Sequence, residues 1–316
     1  MFKNIIELIE KLKEEQDCIN LLKLIRWNNK ITCPFVECSS QDFAESYKIY
    51  SFKDGKRFQC SCCNKIFSYK TGTMFENSKI PLKKWFMAIY LHTAHKKGIS
   101  SCQLARDISV TQKSAWFMLQ RIREIADNFN NDKFDGITEM DETYYGGKFE
   151  NKHMHERIAL KEKDNKAVVF GMLNRDTKQI KTVKVESAEY HNLAKEVMEN
   201  VKEGSTLITD GHASYIRLNR FYEHKSVNHS ADEFVRNEKN PNREAFKIHT
   251  NGIEGYWSWL KRGIDGIYHW VSKKHLERYL KEFEFRYNTR EMKDFERFNH
   301  FLTKIKGRLT YANLIK

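Results

Sequence analysis

The chain reads as a mixed α+β protein of several domains, and three observations carry that reading. Two close cysteine pairs stand near the start, Cys33 with Cys38 and Cys60 with Cys63. A helical stretch broken by glycine and serine follows the second pair. Beyond it, apolar runs of strand character alternate with helical runs in the order βββαβαβα. With 316 residues the chain can hold two or three domains and bury at least one sizeable core.

Composition narrows the class of partner. Lys and Arg number 55 against 42 Asp and Glu, a net charge of +13 that recurs along the chain and not in one tail. A polyanion is therefore expected, nucleic acid before a membrane surface. No run approaches the roughly 20 apolar residues that span a bilayer, and the opening MFKNIIELIEKLKEEQ is amphipathic without an apolar signal core. A cytoplasmic location is expected. In that reducing compartment the seven cysteines are thiols or metal ligands and not a disulfide framework.

Residues 1–75 form the first predicted domain, an N-terminal helix and a zinc ribbon. Two knuckles on separate turns deliver a tetrahedron of thiolates without a large core, so Cys33, Cys38, Cys60 and Cys63 are the expected structural Zn²⁺ ligands. Cys62 lies between the last two and could replace one of them, while Cys18 and Cys102 stand alone and are expected in the core. Phe58, Phe67 and Tyr69 would cover the ribbon, with Arg57, Lys65 and Lys70 as a basic face.

Residues 76–130 read as a helix-turn-helix-like DNA-binding segment. Trp85, Ile89 and the run through Leu91 fit one helix that Gly98 ends, Ser100 or Ser101 caps a short second helix, and Thr111 caps a longer third. The second and third then carry Gln112 and Lys113 toward a major groove. A plain helical bundle joining two domains would show the same pattern.

Residues 131–300 are the predicted catalytic domain, with 301–316 as a C-terminal tail. GITEMDETYYGGK is a strand running into a Gly-Gly turn with Asp141 at its end; Asp141 shares a face with Glu139 and Thr143, and Glu142 points away. KAVVFGML and IKTVKVES make a hairpin, AEYHNLAKEVMENVK a helix, and STLITDGHASY a strand closing on Asp210. A helix-sized stretch, a strand around HKSVNH and a helix with Glu254 complete a ribonuclease-H-like layout. Converging carboxylates there suit two divalent cations, Mg²⁺ or Mn²⁺, for phosphodiester chemistry. In HTNGIEGYWSWLK, helical spacing puts Asn251, Glu254, Trp257 and Lys261 near one face. The following SKKHLERYLKEFEFRYNTR is an amphipathic helix whose cations Lys273, Lys274, Arg278, Arg286 and Arg290 read mainly as a solvated face, with His269 and His275 nearby.

MDETYYGGK, ITDGHASY, the long HTNGIEGYWSWLKRGIDGIYHWVSKKHLERYLKEFEFRYNTR and the preceding CSCCNKIFSYKTGTMFENSKIPLKKW closely resemble prokaryotic insertion-sequence transposases of the ISXO type. The likeness spans about residues 15 to 295. It implies an N-terminal zinc ribbon joined to a DDE catalytic domain that cleaves and transfers strands at the ends of a mobile element. The residues it implies are Asp141, Asp210 and either Glu254 or Asn251, with Lys261 as a DNA contact; charge and the spacing to Lys261 favour Glu254. Double-stranded DNA, as element ends and target, and further copies of the chain are the expected partners, at the nucleoid and away from membranes. Two other readings stay open: a DNA-binding regulator with an inactive transposase-like domain, and a ribonuclease-H-like nuclease that cuts without strand transfer.

Overall fold

A computed structural model of the chain describes residues 2–28, 30–35, 38, 47–126, 132–146, 153–154, 166–211, 213–228, 233–238 and 246–316. It divides into two units, Met1–Asn128 with Arg290–Lys316, and Phe129–Thr289.

The first unit opens with α1 (Ile5–Lys11) and α2 (Glu15–Trp27), the latter stopped by Asn28 in a left-handed conformation. Strands β1 (Ile49–Ser51), β2 (Arg57–Cys60) and β3 (Ile66–Ser68) form an antiparallel sheet in that order. Trp27 packs edge-on against Phe58 and Phe67, ring centroids 5.4 and 6.3 Å away, and these rings share a core with Cys33, Cys38 and Cys60. Helix α3 (Leu82–Ala94) buries Leu82, Trp85, Phe86 and Ile89. The Ser100 hydroxyl accepts from the Gln103 N–H to cap α4 (Ser101–Asp107), and the Thr111 hydroxyl accepts from the Ser114 N–H at the start of α5 (Gln112–Ala126). The Thr111 cap stands where the sequence puts it, and of Ser100 and Ser101 it is Ser100 that caps α4. Cys18 is buried, but Cys102 is exposed on α4, contrary to its expected place in the core, because the apolar face of that short helix is carried by Leu104.

The second unit is built on β4 (Ile137–Tyr145), β5 (Ala167–Asn174), β6 (Ile180–Val185), α6 (Tyr190–Asn200), β7 (Thr206–Asp210), a 3-10 helix at Ala213–Arg220 and β8 (Glu223–Val227). Its five strands lie in the order β6-β5-β4-β7-β8. The first three make an antiparallel meander, and β7 and β8 run parallel to β4. That order, with crossovers into the parallel strands, is the ribonuclease-H-like layout. A small hairpin, β9 (Arg236–Glu238) with β10 (Phe246–Ile248), then leads into α7 (Asn251–Gly263), a π-helical turn at Ile264–Tyr268, and α8 (Leu276–Asn288). The hairpin and the 3-10 form of the crossover are additions to the element order expected from sequence.

Strand β5 is buried along its whole length, so its run AVVFGMLN serves two cores. Val168, Phe170 and Met172 face α6 and the 3-10 helix with Met140, Leu193, Val197, Tyr215 and Leu218. Ala167, Val169 and Leu173 face α7 and α8 with Ile253, Trp257, Leu260, Leu280 and Phe283. The sheet is thus the middle of three layers. Arg286, expected on a solvated face, is instead buried and paired with Glu282 at 2.7 Å, and Glu282 also accepts from the Tyr268 hydroxyl at 2.6 Å. The pair sits on the inner side of α8, where a carboxylate one turn earlier balances the guanidinium.

Helices α9 (Asp294–Leu302) and α10 (Tyr311–Ile315) return to the first unit. Arg297 donates to the Thr93 carbonyl at 2.8 Å, Arg121 donates to the Leu309 carbonyl at 3.1 Å, and Phe298 packs on Tyr90. The division between units therefore falls after Thr289, short of the boundary at 300 drawn from sequence. The amphipathic pattern of α8 runs on into α9 almost unbroken, and only the burial of Phe298, Phe301 and Leu302 among first-unit residues separates them.

Candidate active site and cysteine cluster

In the first unit, the turn after β2 places Cys60 and Cys63 on a knuckle whose next residue, Asn64, takes a left-handed φ of 56°. Cys33 and Cys38 precede β1 in the chain. The four Sγ atoms lie within 4.8 Å of one another, with Cys33 to Cys63 and Cys38 to Cys60 both at 3.8 Å. A tetrahedral zinc with bonds of about 2.3 Å needs sulfur–sulfur edges of about 3.8 Å, so the donor set fits Zn²⁺ in number, type and spacing. Burial pushes the Cys33 thiol up to about 11, which a metal must overcome to take the thiolate. Cys62 is exposed and outside the cluster.

In the second unit, β4 and β7 pair in parallel through Ile137 with Thr206, Thr138 with Leu207 and Glu139 with Ile208. Continuing that register sets Asp141 level with Asp210, the last residue of β7. Asp141 is the fifth of nine residues in β4 and not its end, since the strand runs on to Tyr145 in its ladder with β5. Gly147 of the expected Gly-Gly turn lies outside the described residues. Period-two alternation then divides the acidic residues of β4. Glu139 and Asp141 face α7, whereas Glu142 faces Tyr215 on the other side.

Each of these carboxylates has a distinct environment. Glu139, 1% exposed, accepts from Arg175 at 2.6 Å and from the Ile253 N–H in the first turn of α7 at 3.0 Å. Arg175 also donates to the carbonyl of His249, whose ring burial and the same guanidinium hold below the ordinary histidine range. Asp141 accepts from the Trp257 indole N–H at 3.0 Å. Burial, then the charges of Asp210 and Glu254, raise its carboxyl to about 6 against the opposing pull of that N–H and the Glu142 backbone. Burial raises Glu142 to about 7, with Asp141 and Asp210 adding to the shift and Tyr215 opposing it. The Tyr215 hydroxyl is itself raised well above its usual value by burial and then by Glu142.

The remaining candidates lie on α7. Glu254 is exposed, accepts from the Thr250 hydroxyl at 2.7 Å, and is near enough for its charge to act at Asp141. Asn251 opens the helix and Lys261 sits in its last turn, both exposed. His269 is exposed with a left-handed φ of 59°, and His275 is half-buried before α8. Sequence reading gave no part to Glu139, Arg175, His249 or Tyr215. The signal for Glu139 was available in its two-residue step from Asp141, but its partners are 36 and 114 residues away and leave no local trace.

The second unit is thus a ribonuclease-H-like sheet with clustered strand carboxylates, and the first unit carries a separate four-thiol cluster. Residues 133–288 match the ISXO2-like transposase domain family. An uncharacterized protein in transposable element ISH50 of Halobacterium salinarum is 26% identical over 289 residues, 88% of this chain and 92% of that protein. An uncharacterized transposase-like protein of Haemophilus influenzae is 32% identical over 116 residues, 36% of this chain and 85% of that protein. Among solved structures, a chain from the cryo-EM structure of a simian T-cell lymphotropic virus intasome with the PP2A regulatory subunit B56 gamma aligns at a TM-score of 0.27 and 9% identity. That alignment covers 61% of this chain and 66% of the other. The chain belongs to the ISXO2-like transposase family. Among the described residues, no helix is long and apolar enough to cross a membrane.

Two measurements follow from this geometry. Metal analysis of the freshly purified, reduced protein should find about one zinc per chain. Cys60→Ser or Cys63→Ser should release it and Cys62→Ser should keep it; the opposite pattern would reassign the ligand. The second concerns pH. An acid whose folded-state pKa exceeds its unfolded value holds a proton in the native state that the unfolded chain has already lost, so stability falls as pH rises through that window. For Asp141 the window runs from 3.8 to about 6. Metal-free protein at pH 7.5 should therefore melt several degrees higher as Asp141→Asn, and Mn²⁺ should raise the wild-type melting temperature far more than the variant's. A variant that melts lower than wild type at pH 7.5 would contradict this.

Proposed function

We propose that this chain is a DDE-type DNA transposase, which binds the ends of its mobile element and carries out metal-dependent cleavage and strand transfer. The observation that supports this reading most is the β4/β7 register, which sets Asp141 level with Asp210 while Glu254 acts on Asp141 from α7. Asp141, Asp210 and Glu254 would hold Mg²⁺ or Mn²⁺, since all three offer hard oxygen donors and the raised proton affinity of Asp141 is what a cation offsets. When bound, a pair of such ions activates the attacking oxygen and stabilises the leaving one. Asn251 is the alternative third ligand; a neutral amide offers a cation only its carbonyl oxygen, so the carboxylate is preferred.

The chain's own residues do the rest. The Thr250 hydroxyl tethers Glu254 at the start of α7, and Lys261, exposed two turns on, meets the phosphate backbone. Element-end binding is assigned to the zinc ribbon of residues 1–75 and the helices of 76–130, with catalysis in the unit Phe129–Thr289. At the start of α5, Gln112 donates to the Ser101 hydroxyl at 2.9 Å and the Lys113 ammonium lies 5.8 Å from the Tyr311 ring centroid. The net charge of +13 supplies affinity through counterion release. The working complex holds several copies of the chain on element ends and target DNA, at the nucleoid.

Labelled element ends incubated with a target plasmid test this reading: joined product supports it, whereas cutting alone indicates a nuclease and binding alone a regulator. Asp141→Asn and Asp210→Asn should abolish cutting and joining yet keep end binding and zinc. On a pre-cleaved end, Glu254→Gln should lose strand transfer by orders of magnitude. Asn251→Ala should lose roughly ten- to a hundredfold. Lys261→Ala should make activity more salt-sensitive. A dead Asn251→Ala beside an active Glu254→Gln would move the third ligand to Asn251.

A further inference from the structure

We infer that Trp257 is the positioning residue of the carboxylate site: its indole N–H fixes one oxygen of Asp141, and Gly171 leaves the room that lets it do so. The inference rests on the metal-binding reading of Asp141 given above. In the β4/β5 ladder Gly171 stands directly across from Asp141. A Cβ there would lie 2.6 Å from both Cη2 and Cζ2 of Trp257 and 3.1 Å from Cδ1 of Ile253. The indole therefore fills a notch in the sheet between Val169 and Leu173, which share its core. A glycine weakens the interior of a buried strand, and here close approach of the indole is what requires one.

Packing alone does not explain the tryptophan. Trp257 is 5% exposed, so its N–H needs a partner, and that partner is Oδ2 of Asp141 at 3.0 Å. An indole is a donor only and carries no charge. It can fix a carboxylate's orientation without cancelling the charge that attracts a cation, and it occupies one of about four lone-pair sites, leaving the others for metal. Glu139, two residues earlier on the same face, shows the contrast: Arg175 neutralises it at 2.6 Å and the start of α7 takes its other oxygen, which makes it a structural anchor. One strand face thus holds one carboxylate by an ion pair and the next by a neutral donor.

The test uses the full-length chain with Trp257→Phe, and with Trp257 replaced by 3-benzothienylalanine, which keeps the indole's shape and puts sulfur where the N–H was. Mn²⁺ binding without DNA, by calorimetry and electron paramagnetic resonance, is measured beside thermal melting. The sulfur isostere should melt with wild type but bind Mn²⁺ roughly ten- to a hundredfold more weakly, the size of effect expected when a partner of a metal ligand is lost. Gly171→Ala, which displaces the indole and leaves Asp141 intact, should weaken Mn²⁺ binding in the same direction. Wild-type affinity in the isostere overturns the positioning role, and this variant decides the matter if Trp257→Phe fails to fold. If wild type itself binds no Mn²⁺ that Asp141→Asn removes, the metal reading falls and this role with it; normal wild-type binding beside unaffected variants overturns the positioning role alone.

Discussion

Helix α7 is held to the central sheet by two carboxylates of one strand. Glu139 takes the N–H of Ile253, and Asp141 takes the indole N–H of Trp257. Two residues along a strand advance about 6.8 Å, and four along a helix advance about 6 Å. Successive same-face positions of β4 therefore meet positions one turn apart on α7. Glu139 lies where the partial positive charge of the helix start favours an anion. The elements that carry Asp141 and Glu254 are joined by these contacts, with Gly252 and Gly171 allowing the close approach: a Cβ at Gly252 would lie 2.8 Å from Oε2 of Glu139.

The arrangement sets stability against chemistry. Burying a carboxylate is costly unless it is paired. At Glu139 the cost is met by Arg175, itself braced on the His249 carbonyl. At Asp141 burial and neighbouring charge leave the carboxyl at about 6, and Glu142 behind it at about 7, so the sheet carries an electrostatic debt at this point. In the proposed function a divalent cation supplies the counterweight. The three-layer packing around β5 supplies the rigidity that makes this tolerable, since a loosely packed sheet would relax the carboxylates apart.

Much of this was legible in sequence, and what was not has a physical reason. The cysteine spacing, the Thr111 cap, a cap at Ser100 or Ser101 and the hairpin of β5 with β6 are local, and they read directly; the pairing of β4 with β5 is seen only in the fold. The ribonuclease-H-like layout followed from the alternation of element types, because few connections satisfy it. Asp141 was read at a strand end because an apolar run and a Gly-Gly pair bracket it, whereas β4 outlasts its parallel neighbour β7 and extends along β5. The hairpin β9 with β10 was missed because its strands have three residues each and carry charge. Arg286 looked like a surface cation because a helical period cannot say which polar residue finds a buried partner. Glu139 with Arg175, and Trp257 with Asp141, are pairings across long sequence separations that only the folded chain brings together.

The most direct measurement is anomalous diffraction from crystals of this chain soaked in Mn²⁺. Manganese density bounded by Asp141 and Asp210, with Glu254 turned toward it and the Trp257 N–H still on Asp141, is the expected result. Manganese held elsewhere, or no manganese at Asp141 in crystals whose β4 and α7 are ordered, would contradict the assignment of this carboxylate cluster as the metal site.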